Sequence, residues 1–123
     1  MSDFKDLKVW QKAHELAIAV HRVASRSRAP AFTSLRSQMI RSSMSIDNTI
    51  AEGRGKHTDK ELIRFLRMST GSCYELEAQL ILAKDLGFLD ENISEKLLKQ
   101  LVEVRKMLFG LIRYLEGKDR PEP

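Results

Sequence analysis

The sequence predicts an all-α protein, an antiparallel four-helix bundle with up-down-up-down topology. Apolar residues recur at three- and four-residue steps through four long segments, which is the spacing of a single buried helical face. No segment shows the apolar–polar alternation of a strand. The connections between the segments are short, so consecutive helices are expected to be antiparallel neighbours.

The four helices are predicted at residues 7–27, 34–52, 59–86 and 93–116. Pro30 ends the first helical segment because a proline disfavours helical geometry at the residue before it. Two residue pairs have the three-residue spacing of an N-terminal capping box: Thr58 with Glu61, and Asn92 with Glu95.

Glycines are predicted to end the second and third helices. Gly53 is expected to leave the second helix in a left-handed conformation, and Gly87 followed by Phe88 indicates a Schellman motif. Gly71 and Gly110 instead fall inside helices, where glycine costs about 1 kcal/mol relative to alanine. A close approach by a neighbouring helix would explain that cost.

Length and composition favour a single domain over residues 1–123, with flexible tails at 1–6 and 117–123. Apolar residues make up 42% of the chain and charged residues 31%, an ordinary globular balance. We expect no membrane span and no export signal, because no apolar run has the necessary length. The single cysteine, Cys73, suits a reducing compartment, so a cytoplasmic location is expected.

The third and fourth helices have more apolar residues than one buried stripe requires. A helix that is apolar over a wider surface must bury a second face, which predicts a homo-oligomer. The candidate interface residues all lie on the fourth helix: Leu98, Val102, Met107, Phe109 and Ile112.

The positive charge of the chain is concentrated in its first half. Residues 1–59 contain ten Lys and Arg against six Asp and Glu, whereas residues 60–123 contain eleven of each. Basic patches are typical of nucleic-acid binding but also occur as ordinary solvated surface, and both interpretations remain open. The candidate phosphate contacts lie around the loop between helices two and three: Arg54, Lys56, Lys60, Arg64 and Arg67.

A group of polar residues lies on or beside the apolar stripes of helices two and three. One interpretation is a hydrogen-bonded seam that sets the register of two helices, and the other is a ligand pocket or catalytic site. We favour the seam, because no nucleophile–base pair is visible and only Glu52 and Glu75 offer paired carboxylates. Its predicted members are Gln38, Arg41, Ser45, Asn48, Glu52, Ser72 and Glu75.

The sequence indicates no metal and no cofactor. His14 and His21 are seven residues apart, about 10 Å along a helix, which is too far to share one ion directly. Di-metal bundles use Glu-x-x-His pairs, which this chain lacks. Cys73 lies on an apolar stripe, so a buried thiol is expected rather than a nucleophile. We therefore predict a protein without catalytic residues.

An ordered set of motifs resembles the 23S rRNA-intervening-sequence protein family. The opening Phe4-Lys5-Asp6-Leu7-Lys8-Val9-Trp10-Gln11-Lys12-Ala13 is similar to the start of that family. The remaining matches are Leu35, Gln38, Arg41, Ser45-Ile46, Asn48, Ile50-Ala51-Glu52-Gly53, Phe65-Leu66, Gly71-Ser72, Glu75-Leu76-Glu77 and Gln79-Leu80. The chain departs from the family pattern at Phe32-Thr33-Ser34 before helix two, and at Asp47, where the family tends to have proline.

This resemblance implies a cytosolic bundle that assembles as a pentameric ring without catalytic residues. It also implies a distant likeness to the accessory protein of diversity-generating retroelements, a nucleic-acid-binding partner of a reverse transcriptase. The leading hypothesis is therefore a non-enzymatic homo-oligomer that binds structured RNA through its basic face. The alternative is a scaffold without RNA affinity that docks a protein such as a polymerase or ribosome-associated factor.

Overall fold

The computed structural model describes residues 3–118. Four helices make up most of this part of the chain: α1 (Lys8–Ala24), α2 (Thr33–Arg54), α3 (Asp59–Asp85) and α4 (Glu91–Lys118). Helix α2 packs between α1 and α3, and α4 closes the bundle against α3 and α1. Residues 3–118 contain no strand, and the predicted all-α four-helix bundle is confirmed.

The core is apolar and takes residues from every helix. The side chains that are fully buried include Leu16 and Val20 from α1, Met39 and Ile46 from α2, Leu66 and Leu76 from α3, and Leu101, Val104 and Leu108 from α4. These positions repeat at three- and four-residue steps, so the periodicity of the sequence identified the faces that pack together.

The segment predicted as a flexible tail at residues 1–6 includes regular structure. A turn of 3₁₀-helix covers Phe4–Asp6, and the Asp3 carboxylate accepts a hydrogen bond from the Lys5 backbone N–H. The Phe4 ring meets the Trp10 ring edge-on at 5.0 Å. At the other end, residues 117 and 118 belong to α4, and residues 119–123 of the predicted tail lie outside the described residues.

Two helix boundaries differ from the predicted ones for local reasons. Helix α1 ends at Ala24, three residues early, and beyond it the Ser27 hydroxyl accepts a hydrogen bond from the Ala29 N–H, an alternative to helical bonding. Helix α4 begins at Glu91 because the Asp90 carboxylate accepts from the Ile93 N–H at 2.8 Å. The prediction of a cap at Asn92 is therefore wrong.

The predicted role of Gly53 is also wrong, because α2 continues through Gly53 to Arg54. A Cβ atom at Gly53 would lie 2.7 Å from the Phe65 Cβ and 3.1 Å from the Leu62 Cδ1. Glycine is needed here because α2 and α3 approach each other closely.

The third helix ends in the predicted Schellman motif. Gly87 has a φ of +80°, the only positive φ among residues 3–118. The Phe88 N–H donates to the Ala83 carbonyl at 2.9 Å, and the Gly87 N–H donates to the Lys84 carbonyl at 3.0 Å. Within one chain the predicted close approach at Gly71 and Gly110 does not occur, because a Cβ at either position would meet nothing within 4 Å.

Candidate functional site

The five predicted phosphate contacts, which we call the cationic rim, lie at one end of the bundle, around the α2–α3 turn. Helix α2 ends at Arg54, and α3 begins at Asp59 with Thr58 as its cap. The Thr58 hydroxyl accepts a hydrogen bond from the Glu61 N–H at 3.2 Å, as the capping-box spacing predicted. This short turn brings Arg54, Lys56, Lys60, Arg64 and Arg67 to the same end of the molecule.

Two cations of the rim are anchored on the same aromatic ring. The Lys56 Nζ lies 4.9 Å from the centroid of Phe65, and the Arg64 Cζ lies 4.8 Å from it. Phe65 is itself 6% exposed, so its ring is a fixed support. Cation–π attraction therefore holds two positive charges close together at the surface.

Carboxylates neutralise part of the positive charge of the cationic rim. Arg64 pairs with Glu61 at 3.2 Å, and Arg67 pairs with Glu116 at 2.9 Å. Exposed ion pairs contribute at most about 1 kcal/mol, so these arginines can exchange a carboxylate for another anion. Lys56 and Lys60 make no ion pair among residues 3–118, and they carry the uncompensated charge.

The structure brings together four of the seven residues predicted as a polar seam. Arg41 donates to the Glu75 carboxylate at 3.2 Å, and the Ser45 and Ser72 hydroxyls are 2.9 Å apart. Both contacts join α2 to α3. The other three predicted members, Gln38, Asn48 and Glu52, are exposed, and Gln38 bonds Ser34 on its own helix.

A more deeply buried polar seam crosses the same interface through residues that sequence reasoning missed. The Ser42 hydroxyl donates to the Gln79 side-chain oxygen at 2.6 Å, and the Thr49 and Ser69 hydroxyls bond each other. All four residues are at most 9% exposed. Ser42 and Thr49 are seven residues apart on α2, and that heptad spacing was the available signal.

A side-chain hydrogen bond also joins α1 to α2. The His14 Nδ1 lies 3.1 Å from the Asp47 carboxylate, which is mostly buried, and the His14 ring stacks on Trp10 at 4.7 Å. His14, which is not predicted to bind a metal, has this carboxylate as its partner. Asp47, a departure from the family pattern, thus bonds the neighbouring helix.

The predicted oligomer residues do not share one face. Leu98 and Val102 are half-buried, and Phe109 is 37% exposed on the same side of α4. Met107 lies about half a helical turn away from Leu98, given an advance of about 100° per residue. Ile112 is 2% exposed within the monomer core, so its assignment to an interface is corrected.

Cys73 is fully buried and lacks nucleophile character. Burial raises the pKa of the Cys73 thiol to about 12, although the Arg105 guanidinium opposes this shift. The thiol therefore stays protonated near neutral pH. Among residues 3–118, no group of three or more His, Cys, Asp and Glu side chains is arranged to hold a metal ion. No helix in this range combines the length and apolar character needed to cross a bilayer.

These contacts define a class of protein: a four-helix bundle in which polar side chains join α2 to α3 and α1 to α2. The family model for the 23S rRNA-intervening sequence protein matches residues 5–110, and the chain belongs to that family. The resemblance found in the sequence motifs is thereby confirmed.

A solved structure shares the fold. It is the crystal structure of a protein with unknown function from the S23 ribosomal protein family of Bacteroides thetaiotaomicron. It superposes with a TM-score of 0.78 at 20% identity, over 85% of this chain and 97% of that chain. A comparison with curated protein sequences finds no match.

Proposed function

We propose that this protein is a non-enzymatic, cytoplasmic homo-oligomer, a pentameric ring, that binds structured RNA through the cationic rim. The observation that supports this best is the convergence of Lys56 and Arg64 on the Phe65 ring. Two positive charges beside one ring raise the local positive potential, and an RNA phosphate that contacts either cation would offset it. The 23S rRNA context in the family name makes RNA the natural polyanion to test.

A ring would strengthen weak contacts. Each copy presents the same α2–α3 turn, so one RNA molecule that reaches several copies gains affinity through effective concentration. Leu98, Val102 and Phe109 form the apolar side of α4 that we propose for self-association. Light scattering should then give a mass about five times the 14.1 kDa of the chain.

The test is a salt titration of RNA binding with a matched pair of variants. Lys56→Gln with Lys60→Gln removes the two unpaired rim charges, and Lys96→Gln with Lys99→Gln removes two exposed lysines of α4. By fluorescence anisotropy on a labelled hairpin at about 150 mM salt, we expect the rim variant to bind roughly tenfold more weakly. The slope of log affinity against log salt should fall by about two for each copy of the chain that contacts the RNA, because each copy loses two phosphate contacts.

Each outcome bears on the proposal. Equal affinity for the rim variant and the wild type would remove the rim as the RNA contact. Absence of RNA binding by the wild type would overturn the RNA function as a whole. A monomeric mass would overturn the ring, and with it the multivalent part of the mechanism.

A second candidate function is a scaffold that docks a protein partner, such as a polymerase or a ribosome-associated factor. Exposed apolar residues near the end of α3 favour it: Ile81, Leu82 and Leu86 are 43%, 49% and 55% exposed. Apolar side chains grouped in this way mark interaction surfaces. In the same titration, the scaffold function would give RNA affinity only in the millimolar range, with no difference between the two variants.

A further inference from the structure

We propose that the opposite end of the bundle holds a second phosphate-binding site, an arginine cluster that receives backbone phosphates of RNA. Its members are Arg22, Arg26, Arg28 and Arg36. The inference rests on the proposed function for the identity of its ligand, but it uses no residue of the cationic rim. It places a second RNA contact at the α1–α2 turn.

The first observation is a long stretch of sequence without carboxylates. Residues 16–46 contain five arginines and no Asp or Glu, in a chain that has 17 acidic residues overall. Apart from Arg41 on the side of α2, these arginines fall between the last turn of α1 and the second turn of α2. The fold therefore gathers four positive charges at one turn.

The second observation is that these charges are not compensated. Arg22, Arg26 and Arg28 make no ion pair within residues 3–118, whereas Arg41 pairs with Glu75. Most arginines elsewhere in this part of the chain have a carboxylate partner, as at the rim. Uncompensated arginines create a positive potential that attracts a polyanion.

Arg36 is held in place by neutral groups. Its guanidinium donates to the Ser27 carbonyl at 2.9 Å and to the Thr33 hydroxyl at 3.3 Å. These bonds orient the side chain without neutralising it. A pre-oriented guanidinium loses less freedom when it binds a phosphate with its remaining donors.

The third observation is a surface cavity of about 550 Å³ beside this side chain. Arg28 and Arg36 line it together with four hydroxyl residues: Ser25, Ser27, Thr33 and Ser37. Helix α2 begins here with no acidic residue in its first turn and no side-chain cap, so its dipole adds to the positive potential. Guanidinium groups with hydroxyl donors suit phosphate oxygens.

The neighbouring α3–α4 turn limits the direction from which RNA can approach the arginine cluster. Phe32 packs on Phe88 at 4.9 Å, which sets the α3–α4 turn beside the arginine cluster. That turn has carboxylates at Asp85 and Asp90, and Asp90 is engaged as the cap of α4. RNA is therefore expected over the α1–α2 side, and an RNA that also reaches the rim would run along α2 for about 33 Å.

The experiment compares two triple variants with the same change in charge. Arg22→Gln, Arg26→Gln and Arg28→Gln remove three exposed arginines of the cluster. Lys84→Gln, Lys96→Gln and Lys99→Gln remove three exposed lysines near the same end of the bundle. In anisotropy titrations with the labelled RNA hairpin, we expect the arginine variant to bind at least about tenfold more weakly at roughly 150 mM salt. Its salt slope should fall by about two to three for each copy of the chain that contacts the RNA, and the lysine variant should stay close to wild type.

The outcomes separate this inference from the proposed function. If the wild type binds RNA and the two triple variants behave alike, the arginine cluster is overturned while the RNA function stands. If the arginine variant binds RNA more weakly and the rim variant does not, the result supports the arginine cluster as an RNA contact and contradicts the cationic rim as one. If the wild type binds no RNA, both proposals fail. All the changed side chains are exposed, so each variant is expected to keep its fold and mass, which thermal melting and light scattering would check.

Discussion

The α2–α3 interface and the α1–α4 side of the core bury their surfaces differently. Between α2 and α3, hydroxyl and amide groups bond across the interface, and Gly53 lets the backbones come close. On the α1–α4 side, large apolar residues such as Leu16, Leu101 and Leu108 fill the space. Apolar packing tolerates small shifts of one helix along another, whereas paired buried polar groups are satisfied in one register only. The α2–α3 pair therefore sets the register, and the α1–α4 side supplies bulk hydrophobic stabilisation.

The largest expected effect tests the apolar side. Leu101→Ala removes a fully buried side chain of α4 and should lower the free energy of unfolding by about 2–5 kcal/mol. Urea denaturation at fixed protein concentration measures this, because the stability of an oligomer depends on concentration. Leu82→Ala, an exposed position on α3, is the control and should cost clearly less. Equal losses for the two variants would contradict the assignment of Leu101 to the core.

The next effect tests the close approach at the polar interface. Gly53→Ala places a Cβ against Phe65 and Leu62 and should destabilise the protein by about 1–3 kcal/mol through overpacking. Gly71→Ala is the matched control, because that helix position is open, and it should stabilise by about 0.5–1 kcal/mol. A loss of stability in the control would show that another copy of the chain covers this face. An unchanged Gly53→Ala protein would contradict the close contact itself.

The same contrast explains what could be predicted from the sequence. The apolar stripes repeat so regularly that fold class, helix number and most core positions followed from periodicity. Buried polar positions are harder to predict than apolar ones, because a shift of one residue along a helix turns the side chain by about 100°. Sequence reasoning chose Asn48 where the structure buries Thr49, and it chose Arg41 where the structure buries Ser42.

Gly53 and the charged residues of the rim show two further limits of prediction from the sequence. A glycine near a helix end usually marks a left-handed terminus, and nothing local reveals that Phe65 lies against Gly53 instead. The rim was located from a basic loop, but the partner of Arg67 is Glu116, 49 residues away, which no local pattern discloses. The sequence alone shows that residues 16–46 contain no carboxylate. Such a run indicates net positive charge at one site better than a basic loop does, because it also accounts for the acidic residues.

The smallest expected effect tests the register contact directly. The Thr49 hydroxyl bonds Ser69 and also the Ser45 carbonyl of its own helix, so Ser69→Ala leaves Thr49 with an acceptor. We therefore expect Ser69→Ala to cost only about 0.5–1.5 kcal/mol. Combining it with Thr49→Val in a double-mutant cycle isolates the contact between the helices, and a coupling of about 0.5–1 kcal/mol is expected. Strict additivity would mean that the two hydroxyls are neighbours without stabilising each other, and the register would then depend on Ser42, Gln79 and the close approach at Gly53.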